Sequence, residues 1–332
     1  MESNESVVKR KSVTNTSNTT TTESVDESCS NVKKQAVYKK RTDTFFLKTF
    51  RGIIGFSWAI IITSVMWVVL PFIVILKPIL KALGSKRWLR DSPLDVLSRV
   101  WARVILWVVN VNVIIEDDHY VKQCNTKSTI LMYSHASNID PIILMGYTPI
   151  TTRFIFKKEL LFFVPYIFYL AYIIGHIPIN RKKRQSAFES INIAAANVKD
   201  NKLCVVISPE GTRSADGILQ PFKKGPFHMA IQSKAVIAPV CLFGNHELWP
   251  TKDLLPNNGT VHVRYLPPFE IGPNDNVDSL LEKTRSLMHE ALVNPPKNFE
   301  PLKSGPQFNH SLIFFSGLLI ITSAFLRYFG YF

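Results

Sequence analysis

Two short blocks of the sequence carry side chains that could do chemistry, and the first is Tyr133-Ser-His-Ala-Ser-Asn-Ile-Asp-Pro141. Histidine, whose unperturbed pKa is ~6.5, is a natural general base for an alcohol, and His135 is the candidate here. A carboxylate such as Asp140 can fix its tautomer and stabilise the imidazolium if the chain turns between them. The alternative is structural, because Asp140 before Pro141 suits a helix N-cap and His135 could be a hydrogen-bonded structural histidine. Taken alone, the His-x4-Asp pattern favours the structural alternative.

The second block, Ser208-Pro-Glu-Gly-Thr-Arg-Ser214, combines a cation with a glycine and hydroxyls. Arg213 can hold a phosphate through its two-pronged guanidinium, and Gly211 lets the backbone approach a ligand closely. Thr212 adds a hydroxyl. Because Glu210 would repel a phosphate, we expect it to orient Arg213 or a substrate hydroxyl. The alternative is ordinary turn chemistry, which Pro-Glu-Gly-Thr also satisfies.

Both blocks follow short β-branched runs that alternate with helical patterns. This alternation predicts an α/β domain with a largely parallel sheet flanked by helices. In such sheets, reactive side chains lie on the turns that follow the strands. The predicted strands are 129–133, 153–156, 176–179, 203–207, 236–243 and 261–266. The predicted helices are 141–145, 158–172, 185–199, 227–233 and 277–293.

One apolar segment is long enough to meet a membrane. Residues 52–76 are 25 consecutive positions without a charge, enough for a helix to cross a hydrocarbon core of roughly 30 Å. Basic residues flank the segment on both sides, and Pro71 interrupts it. It is therefore either a spanning helix with a kink or a helical hairpin in one leaflet, and we favour the hairpin because it leaves both basic flanks on one face. A buried core helix is the third, less favoured alternative at this length.

Two further apolar stretches carry weaker membrane signals. Residues 160–179 have no formal charge, but Pro165 and Gly175 interrupt them, which predicts a buried or interfacial helix leading into a strand. Residues 312–326 are shorter than a typical span. They predict either a second membrane anchor or an amphipathic interfacial helix.

Composition and missing motifs narrow the function classes. The chain has 39 Lys and Arg against 25 Asp and Glu, a formal charge of +14, so we expect an anionic partner: nucleic acid, a membrane surface or a phosphorylated substrate. Its four cysteines form no CxxC pair, and we expect neither a disulfide framework nor a metal site. The sequence contains no G-x-S-x-G elbow, P-loop or dinucleotide glycine pattern, which argues against those enzyme classes.

Four blocks decide the interpretation by their joint occurrence. They are Tyr133–Asp140, Gly175-His-Ile-Pro-Ile-Asn-Arg181, Pro209-Glu-Gly-Thr-Arg-Ser214 and Ile237-Ala-Pro-Val240. In order and approximate spacing they resemble the blocks of the glycerolipid acyltransferase family, which carries an HxxxxD motif, and most of all the 1-acylglycerol-3-phosphate acyltransferases. The sequence departs from the family pattern at Ser134, where Asn is common, and at Ser208, where Phe is common.

The resemblance implies a mechanism for the first block. His135 is expected to be the general base that takes the proton from a free glycerol hydroxyl, with Asp140 orienting it. The alkoxide would attack an acyl thioester directly, without an acyl-enzyme. Neither a metal nor a bound cofactor is implied, and acyl-CoA would be the co-substrate.

The resemblance also implies the acceptor and the place of action. The expected acceptor is lysophosphatidic acid or a related lysophospholipid, which would become phosphatidic acid at the endoplasmic reticulum membrane, with the catalytic domain in the cytosol. Three cations would hold the acceptor's phosphate, and a short loop would shape its site. These substrate-binding residues are Lys158, Arg181, Glu210, Gly211, Thr212 and Arg213.

These expectations divide the chain into four parts. They are a polar, disordered arm (1–44), a membrane anchor (45–80), an acyltransferase domain (81–300) and an apolar tail (301–332). Acyl transfer to another headgroup and a catalytically inactive membrane scaffold are alternative functions. The basic run Arg181-Lys-Lys-Arg184 raises nucleic-acid binding as a further one. No nucleic-acid fold is recognisable, so we expect this run to face anionic lipid headgroups instead.

Overall fold

In the computed structural model of the chain, the described residues are 45–82, 93–180, 184–297 and 299, with residues 316, 317, 320, 322, 323 and 327 of the tail. The predicted arm (1–44) lies outside them, as does most of the predicted tail (301–332). The six described residues of the tail are helical, and a second anchor there stays a prediction.

The described part of the chain forms helices α1 to α10 and strands β1 to β7. The helices are α1 (Phe45–Ala82), α2 (Pro93–Val108), α3 (His119–Lys122), α4 (Asp140–Tyr147), α5 (Leu160–Phe163), α6 (Pro165–Ile174), α7 (Arg184–Asn201), α8 (Gly225–Ser233), α9 (Asn245–Leu248) and α10 (Val277–Val293). The strands are β1 (Val111–Glu116), β2 (Thr129–Tyr133), β3 (Thr152–Lys157), β4 (Ile177–Ile179), β5 (Cys204–Ile207), β6 (Val236–Phe243) and β7 (Gly259–Tyr265).

The strands form one sheet in the order β1-β7-β6-β2-β5-β3-β4. Neighbouring strands are parallel except β6 and β7, which run antiparallel. The prediction of an α/β domain with a largely parallel sheet flanked by helices is confirmed. Because β2 lies between β5 and β6, the turns after these three parallel strands meet at one edge of the sheet.

The central strand β2 is buried on both faces. Leu131 packs on one side of the sheet with Ile143 of α4 and Val206 of β5. Ile130 packs on the other side with Phe227 of α8. This two-sided burial explains why β2 is a continuous apolar run rather than an alternating one. The turn that carries the first chemical block therefore starts from a rigid, fully packed strand.

Helix α1 is one continuous helix that runs through Pro71 and Pro78. The preference for a hairpin was wrong, because each proline removes one backbone donor but neither ends the helix here. The stretch Lys48–Leu76 is long and apolar enough to cross a membrane. Only 17% of its most apolar window is buried, so α1 is not a core helix either.

One face of α1 packs along the domain, and the opposite face is exposed. Met66 is buried against Leu94 of α2 and Leu170 of α6. Closer to the start of the helix, the carbonyl of Ala59 accepts a hydrogen bond from Trp101 Nε1 at 3.1 Å. The docked face therefore follows α2 and α6 over several turns.

Several local features differ from the sequence-based prediction. The helix predicted at 158–172 is divided into α5 and α6, because Val164 has φ −136° and leaves the helical region directly before Pro165. Strand β1, helix α2 and the one-turn helices α3 and α9 were not predicted. In α2 the apolar pattern is interrupted by charged residues, among them Asp95 and Arg99.

Candidate active site

The turn after β2 brings His135 onto Asp140. The Nδ1 atom of His135 lies 2.8 Å from Oδ2 of Asp140. Asp140 is fully buried, whereas 17% of the His135 side chain is exposed. Among the described residues, none hydrogen-bonds Nε2 of His135. With Nδ1 donating to the carboxylate, Nε2 is the basic nitrogen and is free to meet a substrate.

The carboxylate of Asp140 also holds the backbone of the turn. Its Oδ2 atom accepts from the N–H groups of Ala136 and Ser137, both at 2.9 Å. A helix N-cap would accept from residues that follow it, and these two residues precede it. The N-cap alternative for Asp140 is therefore wrong, and the side chain instead fixes the loop that carries His135.

A third residue, Asn245, completes the surroundings of Asp140. Its Nδ2 donates to Oδ1 of Asp140 at 2.7 Å, and its side chain is buried at the start of α9, after β6. Sequence reasoning missed this residue, because a contact across 105 positions leaves no local spacing signal. The signal that could have found it is its place after β6, the strand next to β2.

The second block reaches the first through Glu210. One carboxylate oxygen accepts from the N–H of His135 at 2.7 Å, and the other accepts from the N–H of Gln220 at 2.9 Å. The N–H of Ser214 donates to the carbonyl of His135 at 2.7 Å. Burial raises the pKa of Glu210 to about 7 because it disfavours the charged carboxylate. The expectation that Glu210 orients Arg213 was wrong, since its oxygens hold backbone groups instead.

Gly211 lies next to Lys223, a lysine that was not among the predicted binding residues. Its φ of +72° is in the left-handed region, and an added Cβ would approach Cδ of Lys223 within 2.8 Å. A side chain at this position would therefore meet backbone strain and would displace the exposed end of Lys223. The arrangement places the exposed Lys223 ammonium beside the second block.

Arg213 leans towards the first block. Its Nη1 donates to Oδ1 of Asn138, which lies between His135 and Asp140 in the sequence. Both Arg213 and the preceding Thr212 are exposed. The structure therefore brings the predicted arginine to the loop that carries the predicted base.

The other two predicted cations have different outcomes. Lys158 is exposed at the carboxyl end of β3, and its backbone N–H donates to the carbonyl of Ile179. Strand β3 is separated from β2 by β5 alone, so Lys158 lies at the same edge of the sheet as the two blocks. Arg181 lies outside the described residues.

His176, which belongs to the second of the four sequence blocks (Gly175–Arg181), has a structural role. It is buried, and its Nδ1 accepts from the N–H of Phe154 at 2.8 Å. Burial and the neighbouring positive charge of Arg153 lower the pKa of His176 to about 3. The ring is therefore neutral, and it is distinct from the partly exposed His135 of the first block.

Comparison with known proteins agrees with this geometry. A family model described as "Acyltransferase" matches residues 112–243, which include both blocks. A 1-acyl-sn-glycerol-3-phosphate acyltransferase of Salmonella typhimurium is 31% identical over 171 residues, covering 51% of this chain and 69% of that protein. The chain belongs to the glycerolipid acyltransferase family. It is an acyltransferase.

Two further acyltransferases extend the likeness. A 1-acyl-sn-glycerol-3-phosphate acyltransferase of Limnanthes douglasii is 29% identical over 264 residues, which cover 79% of this chain and 88% of that protein. The crystal structure of the 1-acyl-sn-glycerophosphate (LPA) acyltransferase PlsC from Thermotoga maritima superposes with a TM-score of 0.52 at 18% identity. The match covers 70% of this chain and 94% of the PlsC chain, and it supports a shared fold.

Proposed function

We propose that this acyltransferase moves a fatty acyl group from acyl-CoA to the free hydroxyl of 1-acylglycerol-3-phosphate, forming phosphatidic acid. The observation that carries the proposal is the His135–Asp140 pair, whose free Nε2 lies on a loop also contacted by Arg213. The pair supplies a base for a hydroxyl, and the arginine supplies a partner for a phosphate. Similarity to several proteins named 1-acyl-sn-glycerol-3-phosphate acyltransferase supports this acceptor.

In the proposed reaction, Nε2 of His135 takes the proton of the acceptor hydroxyl as its oxygen attacks the thioester carbonyl. The tetrahedral intermediate collapses, the carbon–sulfur bond breaks, and the leaving thiolate takes the proton back from the imidazolium. Asp140 stays ionised and stabilises the imidazolium through Nδ1. Direct attack needs no covalent acyl-enzyme. The proton taken from the acceptor hydroxyl ends on the leaving thiol, and His135 returns to its neutral form.

The phosphate of the acceptor would be held by Arg213, with Lys158 and Arg181 as further cations. Arg213 is exposed and can present its guanidinium fork to phosphate oxygens. Glu210 acts on this site indirectly, because it fixes the backbone of His135 and Gln220. Gly211 leaves space beside Lys223, and Thr212 offers an exposed hydroxyl.

Membrane attachment is the other half of the proposal, and α1 supports it. Its docked face extends from Gly52, which lies against Leu255, to Ile73, which packs against the cluster of Met66, Leu94 and Leu170. That length is about 32 Å at ~1.5 Å per residue, similar to the thickness of a hydrocarbon core. Because the domain lies along this length, we propose that α1 rests in one leaflet with its exposed face in the acyl chains. The leaflet would be the cytosolic one of the endoplasmic reticulum.

The deciding experiment is an acyl-transfer assay on membranes that carry the protein, with lysophospholipids of several headgroups in competition. Phosphatidic acid should be the main product. His135→Ala should lower turnover by about 10²–10⁴-fold, while His119→Ala, an exposed histidine on α3, should leave it unchanged. If a lysophospholipid with another headgroup is preferred, the proposed acceptor is wrong. Normal turnover by His135→Ala would overturn the mechanism.

Arg213→Ala tests the acceptor's phosphate separately. It should depress the use of lysophosphatidate far more than the use of a neutral monoacylglycerol, mainly through a raised KM. Lys122→Ala removes an exposed cation of α3 and serves as the matched control. Equal losses on both acceptors would show that Arg213 supports the fold or the acyl donor instead.

A further inference from the structure

The segment that forms α5 and α6 uses only one of its sides to pack on the protein. Leu170 is 2% exposed and lies against Met66 of α1 and Leu94 of α2. Phe168 contacts Phe156 of β3, with ring centroids 5.1 Å apart. These contacts fix α6 firmly between the sheet and α1.

The other side of α5 and α6 is exposed and apolar. We call this side the aromatic patch, and its members are Phe162, Phe163, Tyr166, Tyr169, Tyr172 and Ile173. Phe162 and Phe163 are 72% and 78% exposed. A helix that faces water normally carries charged or polar residues on that face, yet residues 160–175 contain no charge. A contiguous apolar patch of this kind marks an interaction surface.

The aromatic patch continues the exposed face of α1. Trp67 donates from Nε1 to the carbonyl of Tyr166 at 3.0 Å, and the two rings stack at 6.1 Å. The hydroxyl of Tyr166 donates to Oγ of Ser64 at 2.8 Å. On α1, Val68 and Phe72 are exposed close to these contacts in the sequence. The two helices therefore share one outward apolar surface.

The chemistry of the patch fits the boundary between acyl chains and headgroups. Tyrosine rings combine an apolar body with a polar hydroxyl and are enriched at membrane interfaces. Lys157 and Lys158, both exposed, precede α5, and the partly buried Glu159 lies between them and the helix. Basic residues beside an apolar surface attract anionic headgroups. This order of aromatic and then basic residues along one edge matches the layers of a membrane, whereas a surface for a protein partner would not require it.

We propose that the aromatic patch is a second membrane-contact surface that enters the same leaflet as α1. The proposal rests on the proposed function, because it assumes that α1 is embedded. The patch sets Lys158 at the depth of the headgroups. An acceptor can then move sideways from the leaflet into the site without leaving the membrane.

The patch's depth in the membrane can be measured with an environment-sensitive fluorophore on Phe163→Cys. The full chain carries Cys29→Ser, and Cys124, Cys204 and Cys241 are buried. In vesicles of phosphatidylcholine and phosphatidylserine, lipids brominated on their acyl chains should quench the label. A matched label on Glu282→Cys, on the exposed side of α10, should stay unquenched. An unquenched label at position 163 would overturn the proposal, including the case in which the apolar tail covers the patch.

The patch's role in substrate capture can be separated from chemistry. The double variant Phe162→Glu/Phe163→Glu should use long-chain lysophosphatidate in vesicles about tenfold less well or worse. Its turnover of a short-chain, water-soluble lysophosphatidate should match that of the unmodified protein. Equal losses on both acceptors would overturn the proposal. If the unmodified protein uses neither acceptor, the proposed function fails on its own, and the quenching result still judges the patch.

Discussion

Three side chains hold His135 in place, two of them directly and the third through Asp140. Asp140 holds its ring, Glu210 holds its backbone N–H, and Asn245 holds Asp140. Each contact involves a buried group, so each works in surroundings where hydrogen bonds to charged groups are strong. The imidazole of His135 is therefore held in one orientation by the protein itself.

Asn245→Ala should damage the reaction through Asp140. Without its donor, the buried carboxylate is held less firmly, and so is the imidazole that it orients. We expect kcat to fall about 10- to 100-fold with KM little changed. Asn257→Ala removes another buried asparagine, which donates to the carbonyl of Glu247 instead, and should leave kcat unchanged. A normal kcat in Asn245→Ala would contradict this positioning role.

Glu210 should make stability depend on pH. Its pKa is raised to about 7 in the folded protein, against 4.5 as its ordinary value, so the folded state keeps the proton over a wider pH range. The resulting stability is fully present below about pH 4.5 and is lost as the pH rises through about 7. Between pH 5.5 and 8 the unfolding free energy should fall by about 2 kcal/mol relative to Glu210→Gln.

Thermal unfolding in detergent micelles at several pH values measures this difference. Glu282→Gln, a change on the exposed face of α10, is the matched control and should follow the unmodified protein. Parallel curves for the unmodified protein and Glu210→Gln would contradict the assignment of a raised pKa to Glu210.

At the scale of elements, the junction of α2 with β3 depends on a buried ion pair. Arg153 binds Asp95 through two hydrogen bonds of 2.6 and 3.1 Å, and only 6% of the arginine side chain is exposed. Asp95→Ala should cost about 3–5 kcal/mol, because it leaves a buried charge without its partner. The double variant Asp95→Ala/Arg153→Met should be less destabilised, since no charge remains to desolvate.

A surface pair gives the control for this junction. Lys224 and Asp278 connect α8 with α10 at 2.7 Å, but both side chains are more than half exposed. Asp278→Ala should therefore cost less than about 1 kcal/mol in the same thermal unfolding measurement. A loss as large as that of Asp95→Ala would show that burial does not decide the cost.

The elements differ in how far the sequence predicts them. Strand β6 and helix α10 have the predicted bounds, because one is a continuous apolar run and the other begins at an asparagine cap. Helix α2 was missed, since its apolar stripe is interrupted by charges that are used for tertiary contacts. Asp95 binds Arg153, and Arg103 donates to the carbonyl of Gly146.

The site shows the same division. His135, Asp140 and Arg213 are predictable because they recur in short motifs. The roles of Glu210 and Asn245 are not, because their partners lie 75 and 105 residues away and are brought near only by the order of the strands. Local spacing therefore indicates the candidate reactive residues, and sheet topology decides which residues hold them.

At the scale of the whole molecule, removal of residues 45–80 should release the protein from membranes. This deletion takes away the apolar helix α1, and the aromatic patch alone should give only reversible surface contact. The shortened protein should need detergent, because Leu94 and Leu170 lose their cover. Fractionation after a carbonate wash measures the release, and removal of residues 1–40 is the control. Retention of the shortened protein in washed membranes would mean that a later segment spans them.

The long contact between α1 and the domain has a kinetic consequence. Under the membrane attachment proposed above, an enzyme docked along α1 from Gly52 to Ile73 would be unable to swing away from the bilayer and would search for its acceptor in two dimensions. Its rate then follows the mole fraction of acceptor in the leaflet rather than the bulk concentration. Diluting the acceptor with inert lipid slows the reaction even when the total amount of acceptor is unchanged.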